Sequence, residues 1–207
     1  MPAERKRPWY LVLALLGALA LGMTGSCNGW AAVNAYRDPV DLSLYGEGVS
    51  DPADRAALEA RVDAFVRTLD AAKSRGWPMA IAELLLGGAM VMFAMRAISG
   101  SRGARSALVQ LVVAQAGLNA ASYWLLRDVM NADTRCQEAR QVAYAHDHIP
   151  DRTQADDALR STLAMVRARN PIGLVLNALG SALIVVALTR RRSRDFFDAA
   201  AAAIEER

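Results

Sequence analysis

The 207 residues are 54% hydrophobic, and 24 basic and 21 acidic side chains nearly cancel to a net charge of +3. The apolar share exceeds the usual globular figure, and the charges segregate, crowding between long stretches that carry almost none. This pattern excludes a disordered chain, a soluble enzyme domain and a disulfide-dense secreted module, which two cysteines could not staple.

Four segments reach the length of about 20 apolar residues that crosses a hydrocarbon core of ~30 Å. The first, 9–30, opens WYLVLALLGALALGM and carries Trp9, Tyr10 and Trp30 where interfacial aromatic rings belong. The second, 77–98, is interrupted by a single acid, Glu83. The third, 106–126, is uncharged but contains Gln110, Gln115 and Asn119. The fourth, 171–189, has Asn177 as its strongly polar residue. The expected fold is an all-α membrane protein: a four-helix transmembrane bundle with an extracytoplasmic helical cap, forming one integral-membrane unit over 1–207.

Short-loop arginines and lysines set the expected orientation. Arg5, Lys6 and Arg7 precede the first segment, Arg96, Arg102 and Arg105 flank the second connection, and Arg190, Arg191, Arg192 and Arg194 follow the fourth segment. With four spans all three clusters share one side, so both termini are expected in the cytoplasm and the loops 31–76 and 127–170 outside. The start of the chain also fits a cleaved signal peptide, and TGSC around Cys27 a lipoprotein site. Thr24 stands three before that cysteine, where an aliphatic residue is usual, which favours a retained anchor.

In the first loop, 36–50 reads as coil. Asp51-Pro52 then supplies a cap and a first-turn proline, and Leu58, Val62, Phe65 and Leu69 form an apolar stripe that Gly76 is expected to end. In the second loop, Val129, Ala132, Cys136, Ala139 and Ala143 prolong the third segment's period. AHDHIP breaks it, and Leu159, Leu163 and Val166 mark an antiparallel return to Asn170-Pro171. The cytoplasmic tail 190–207, RRRSRDFFDAAAAAIEER, reads first as a helix lying on the lipid surface and second as a docking peptide.

Candidate chemistry is sparse. At 1.5 Å per residue Glu83 and Asn177 lie about 9 Å deep and Asn119 about 12 Å, so Glu83, Gln115, Asn119 and Asn177 form a candidate intramembrane polar cluster. It can serve a proton or ligand site, or an interhelical network that holds the helices in register. Cys27 and Cys136 both fall outside, where a disulfide is permitted; a straight helix separates them by ~15 Å, so a bridge requires a break near 131–133. No C-x-x-C motif accompanies them, which argues against redox catalysis. His146, Asp147 and His148 are weak metal candidates without the four ligands of a structural site, and a solvated turn accounts for them. No cofactor-binding or catalytic motif occurs, and the basic residues are explained by topology rather than by nucleic acid.

The expectation is a non-enzymatic structural or interaction protein, an accessory subunit of a membrane complex, with the lipid bilayer and protein partners at the outer loops or tail. The alternative is a small transporter or ion-coupled protein using Glu83, Asn119 and Asn177. Arginine in place of lysine, with abundant alanine and valine, suggests a bacterial inner membrane.

Overall fold

A computed structural model describes residues 8–38, 49–149 and 151–205, except the side chains of 203–205. The expected coil at 36–50 falls mostly outside this range. Among the described residues there are six helices and no strand. They are α1 (Trp9–Arg37), α2 (Pro52–Ile98), α3 (Arg102–Leu125), α4 (Arg127–His148), α5 (Arg152–Thr189) and α6 (Arg191–Glu205). They divide into two compact units. The first comprises Met1–Val33, Met79–Ala121 and Val175–Arg207; the second comprises Asn34–Pro78 and Ser122–Leu174.

Among the described residues three helices, α1, α2 and α5, are long and apolar enough to cross a membrane. The expected fourth, α3, has the length but not the hydropathy, because Gln110, Gln115 and Asn119 interrupt its 24 residues. Two expected helix ends are also corrected. Gly76 does not terminate a helix: α2 runs unbroken for 47 residues through Gly76 and Pro78, and α5 likewise runs through Pro171. An interior proline costs about 3 kcal/mol or more in a lost N–H bond and a clash. In α2 the turns on either side of Pro78 are held by buried Leu69, Ala72 and Ala80. Gly76 serves a different purpose, for the Tyr36 phenol occupies the space a Cβ would need.

The core of the first unit draws on five helices. Leu11, Leu15 and Ala18 of α1 meet Met90, Ala94 and Ala97 of α2, Ala104, Leu108 and Val112 of α3, Ile184 and Leu188 of α5, and Phe197 of α6. Spacings of three and four put each set on one helical face. The α2–α3 turn closes as a Schellman motif: the Ser101 N–H reaches Arg96 O at 3.3 Å and the Gly100 N–H reaches Ala97 O at 3.0 Å. Gly100 has φ 92°, which disfavours a side chain there.

The last carbonyls of α5 are also satisfied. Thr189 Oγ1 donates to Val185 O at 2.7 Å, Ser193 Oγ to Ala187 O at 2.7 Å, and Arg105 Nη1 to Leu188 O at 3.4 Å. The tail is the expected helix, and one face of it is held by protein. α6 packs within the first unit, with Phe197 and Ser193 fully buried and Asp198 paired to Arg102 at 3.0 Å. Its one-sided apolar face finds a protein partner first.

In the second unit the predicted stripe forms a core: Leu58 and Val62 meet Cys136 and Ala143, flanked by Phe65, Val66 and Ala139. Each fully buried aliphatic side chain contributes ~1.5–3 kcal/mol. Leu159 and Ala155 of α5 close over Ala145 of α4. The anticipated cap is present, with the Ala53 N–H donating to Asp51 Oδ1 at 2.8 Å and Arg152 Nη2 donating to Asp51 Oδ2 at 2.5 Å. The break after α3 falls at Leu126 rather than near 131–133.

Two carboxylates near this cap are held below their usual pKa: Asp51 chiefly by the Ala53 N–H, and Asp147 by hydrogen bonds from Ser50. A depressed folded-state pKa contributes stability that is present above the unfolded value and lost as pH falls through the folded one. Acid is therefore expected to loosen residues 49–53 only below about pH 4. Hydrogen exchange of the Ser50 and Ala53 amides between pH 6 and pH 3 measures this.

Candidate functional site

The feature that organises the first unit is a close helix contact. Gly22, Gly25 and Gly29 of α1 are all buried on one face. A Cβ on Gly22 would lie 2.9 Å from Gly87 O and 2.9 Å from Met90 Cβ. One on Gly29 would collide with the Leu84 backbone and stand 2.9 Å from Ala80 O. One on Gly87 would strike the Ser26 backbone nitrogen and stand 2.7 Å from Gly22 O. Small residues at this spacing let two backbones approach. The expectations from residue order did not include this face, although GSCNG at 25–29 is a small-xxx-small pair that points to it.

Gln115 of α3 reaches the same place. It is 3% exposed, and its Nε2 would be 3.1 Å from a Cβ on Gly25. Nε2 donates to Asn119 Oδ1 at 3.3 Å, while Oε1 is buried and unpartnered. Of the predicted polar cluster, only Gln115 and Asn119 are joined by a hydrogen bond. Glu83 and Asn177 are half-buried, and among the described residues neither forms a hydrogen bond or ion pair. Neutral amides beside glycine backbones suit helix positioning; an acid–base relay would need ionisable groups in contact.

Cys27 is exposed and Cys136 buried, and both thiols are free. Burial pushes the Cys136 thiol up, Asp133 adds to this and Arg140 opposes it, so its thiolate is scarce at neutral pH.

The triplet 146–148 points in three directions. His146 Nδ1 is 2.8 Å from Asp54 Oδ2 and its Nε2 is 3.6 Å from Asp156 Oδ1, linking α4 to α2 and α5. Asp147 accepts from the Ser50 N–H at 3.2 Å, and His148 stacks on Tyr144 with ring centroids 4.0 Å apart. Among the described residues no three His, Cys, Asp or Glu side chains converge on a metal position. His146 and Asp54 are 14% and 17% exposed, so removing the imidazole strands a mostly buried carboxylate. We expect His146→Ala to lower the unfolding free energy by about 1–3 kcal/mol, and His148→Ala by at most about 0.5 kcal/mol, in parallel thermal melts.

Cavities in the second unit include the following. One of about 530 Å³ is lined by Phe65, Asp133, Cys136, Gln137, Arg140, Gln141 and Tyr144. Two of about 350 and 300 Å³ share Arg61 and Arg135.

No family model, no curated protein and no solved structure matches this chain. What the structure defines is a class: an all-helical protein with three helices long and apolar enough to span a membrane.

Proposed function

We propose that the protein is a non-enzymatic accessory or interaction subunit of a membrane complex, spanning the bilayer four times with the loops 31–76 and 127–170 outside. The observation that carries this reading is the apolar exterior of the first unit. Leu13, Leu16 and Met23 of α1, Leu85, Met92 and Met95 of α2, Val113 of α3, and Val175, Leu176, Leu179, Leu183 and Val186 of α5 are all exposed. Large side chains of this kind, on so much surface, belong in lipid or against other membrane proteins. α3 enters as the fourth span because its inner face shares one core with α1, α2 and α5. Both termini then fall on the arginine-rich side, which is cytoplasmic by the positive-inside rule.

The glycine contact and buried Gln115 are what a static bundle needs. The reading is tested by gentle detergent extraction and size-exclusion chromatography, where co-elution with a defined partner is expected. A chain running alone as a monomer overturns it. A second reading, a small ion-coupled transporter, draws on Glu83 having no hydrogen-bond partner among the described residues. The two diverge on Glu83→Gln. A subunit should keep its partner and its melting temperature within about 2–4 °C, the shift that ~1 kcal/mol produces in a chain of this size, whereas a transporter should lose flux while staying folded.

A further inference from the structure

The cytoplasmic end of the proposed bundle carries groups that the fold leaves unused. Four arginines, Arg190, Arg191, Arg192 and Arg194, fall within five residues at the α5–α6 junction. All are exposed, and among the described residues none forms an ion pair. The docking of α6 sorts this segment: Ser193 and Phe197 turn inward and are fully buried, which leaves Arg191, Arg192 and Arg194 outward. Of the acids next to them in sequence, Asp198 is committed to Arg102 and Asp195 adds one further negative charge.

Topology alone accounts for arginines at this end, but two orphaned polar atoms call for something more. Arg105 Nη1 caps Leu188 O at 3.4 Å, yet Arg105 Nε is buried without a hydrogen-bond partner. The Tyr10 hydroxyl is buried and unpartnered as well, and the Arg190 guanidinium lies 5.4 Å from the Tyr10 ring centroid. Arg105 and Arg190 both attach to the last turn of α5, one through Leu188 O and one through the chain itself. Donors left unfilled in the same unit as four unpaired guanidinium groups mark this end as short of anionic acceptors, which a phosphate supplies.

We propose that this rim binds the headgroup phosphate of an anionic phospholipid. The exposed Arg191, Arg192 and Arg194 attract and hold it. A lipid is favoured over a free anion because exposed apolar side chains such as Leu13, Leu183 and Val186 lie on the flanking helices, where acyl chains would run. Basic clusters next to a span gain about 1 kcal/mol per arginine from an anionic bilayer surface, about five-fold in affinity for each. The inference rests on the membrane reading above.

The test uses the full chain purified in neutral detergent, with thermal unfolding followed as phosphatidylglycerol, phosphatidylcholine or inorganic phosphate is added. Phosphatidylglycerol alone is expected to raise the midpoint, by about 2–4 °C at saturation. Combining Arg191→Gln, Arg192→Gln and Arg194→Gln should weaken this binding on the order of 100-fold without moving the midpoint in phosphatidylcholine, because these side chains are exposed. Native mass spectra of the unaltered chain should retain phosphatidylglycerol in preference to phosphatidylcholine. Equal shifts with phosphatidylcholine or inorganic phosphate, or a triple variant that still responds, would overturn the proposal. Washing the chain from membranes with alkaline carbonate separates the two levels. A chain released by the wash sinks both readings; one that stays embedded without lipid preference sinks this one alone.

Discussion

Gly87→Ala is expected to destabilise the protein by about 1–3 kcal/mol, and the neighbouring Gly88→Ala to leave it unchanged or slightly more stable. The two substitutions add the same methyl group to the same helix. At Gly87 that methyl meets the backbone of Ser26 and the carbonyl of Gly22, neither of which can yield without moving α1. At Gly88 the nearest atom, Ser26 Oγ, is 4.0 Å away. Alanine's better helix propensity returns about 1 kcal/mol at either site, which is enough to decide the sign at Gly88 and too little at Gly87. Gly29→Ala should behave as Gly87→Ala does, because Leu84 and Ala80 backbone atoms fill the space. Thermal or denaturant unfolding in detergent measures all three. Equal effects at 87 and 88 would mean that α1 and α2 do not meet along this face.

Phe197→Ala is expected to cost about 3–5 kcal/mol, the range for removing a fully buried aromatic ring. Phe196 is only half-buried and packs at the edge of the same cluster, so Phe196→Ala should cost distinctly less. Loss of Phe197 also frees α6, and trypsin should then cut faster at Arg191, Arg192 and Arg194. The comparison separates two placements of the tail. A helix resting on lipid would expose both rings to the same surroundings and make the two substitutions nearly equivalent. A helix docked on protein makes them unequal, as the burial of Phe197 in the same core as Leu11 and Leu108 implies.

Much of the helical layout was legible from residue order. The stripe Leu58, Val62, Phe65 and Leu69 could be read because helical periodicity is local, and its inward face is where Leu58 and Val62 are buried. The Asp51-Pro52 start was legible for the same reason: a cap is made within three residues of itself. The ends expected at Gly76 and at Asn170-Pro171 failed because glycine and proline register local preference only. Whether a helix runs through them depends on what packs against the neighbouring turns.

The candidate polar cluster was partly legible. Counting residues along each helix placed Glu83, Asn119 and Asn177 at similar depth, but depth does not say which way a side chain faces. Gln115 turned out to be the buried amide, set against Gly25, while Glu83 and Asn177 stayed half-buried. His146 was read as a member of a solvated turn. Its partners Asp54 and Asp156 lie on helices distant along the chain, and no local pattern announces that pairing.

Sequence alone settled what short-range chemistry controls: the all-helical character, the long apolar stretches of α1, α2 and α5, and the inward stripe of α2. Tertiary structure decided what long-range contact controls: the glycine face between α1 and α2, the return of α6 onto its core, the His146 links, and the continuity of α2 and α5 through their prolines. The division is physical. Hydropathy and helical period are properties of a chain and its nearest neighbours, whereas a close approach, a buried ring or an orphaned donor exists only once distant segments have met.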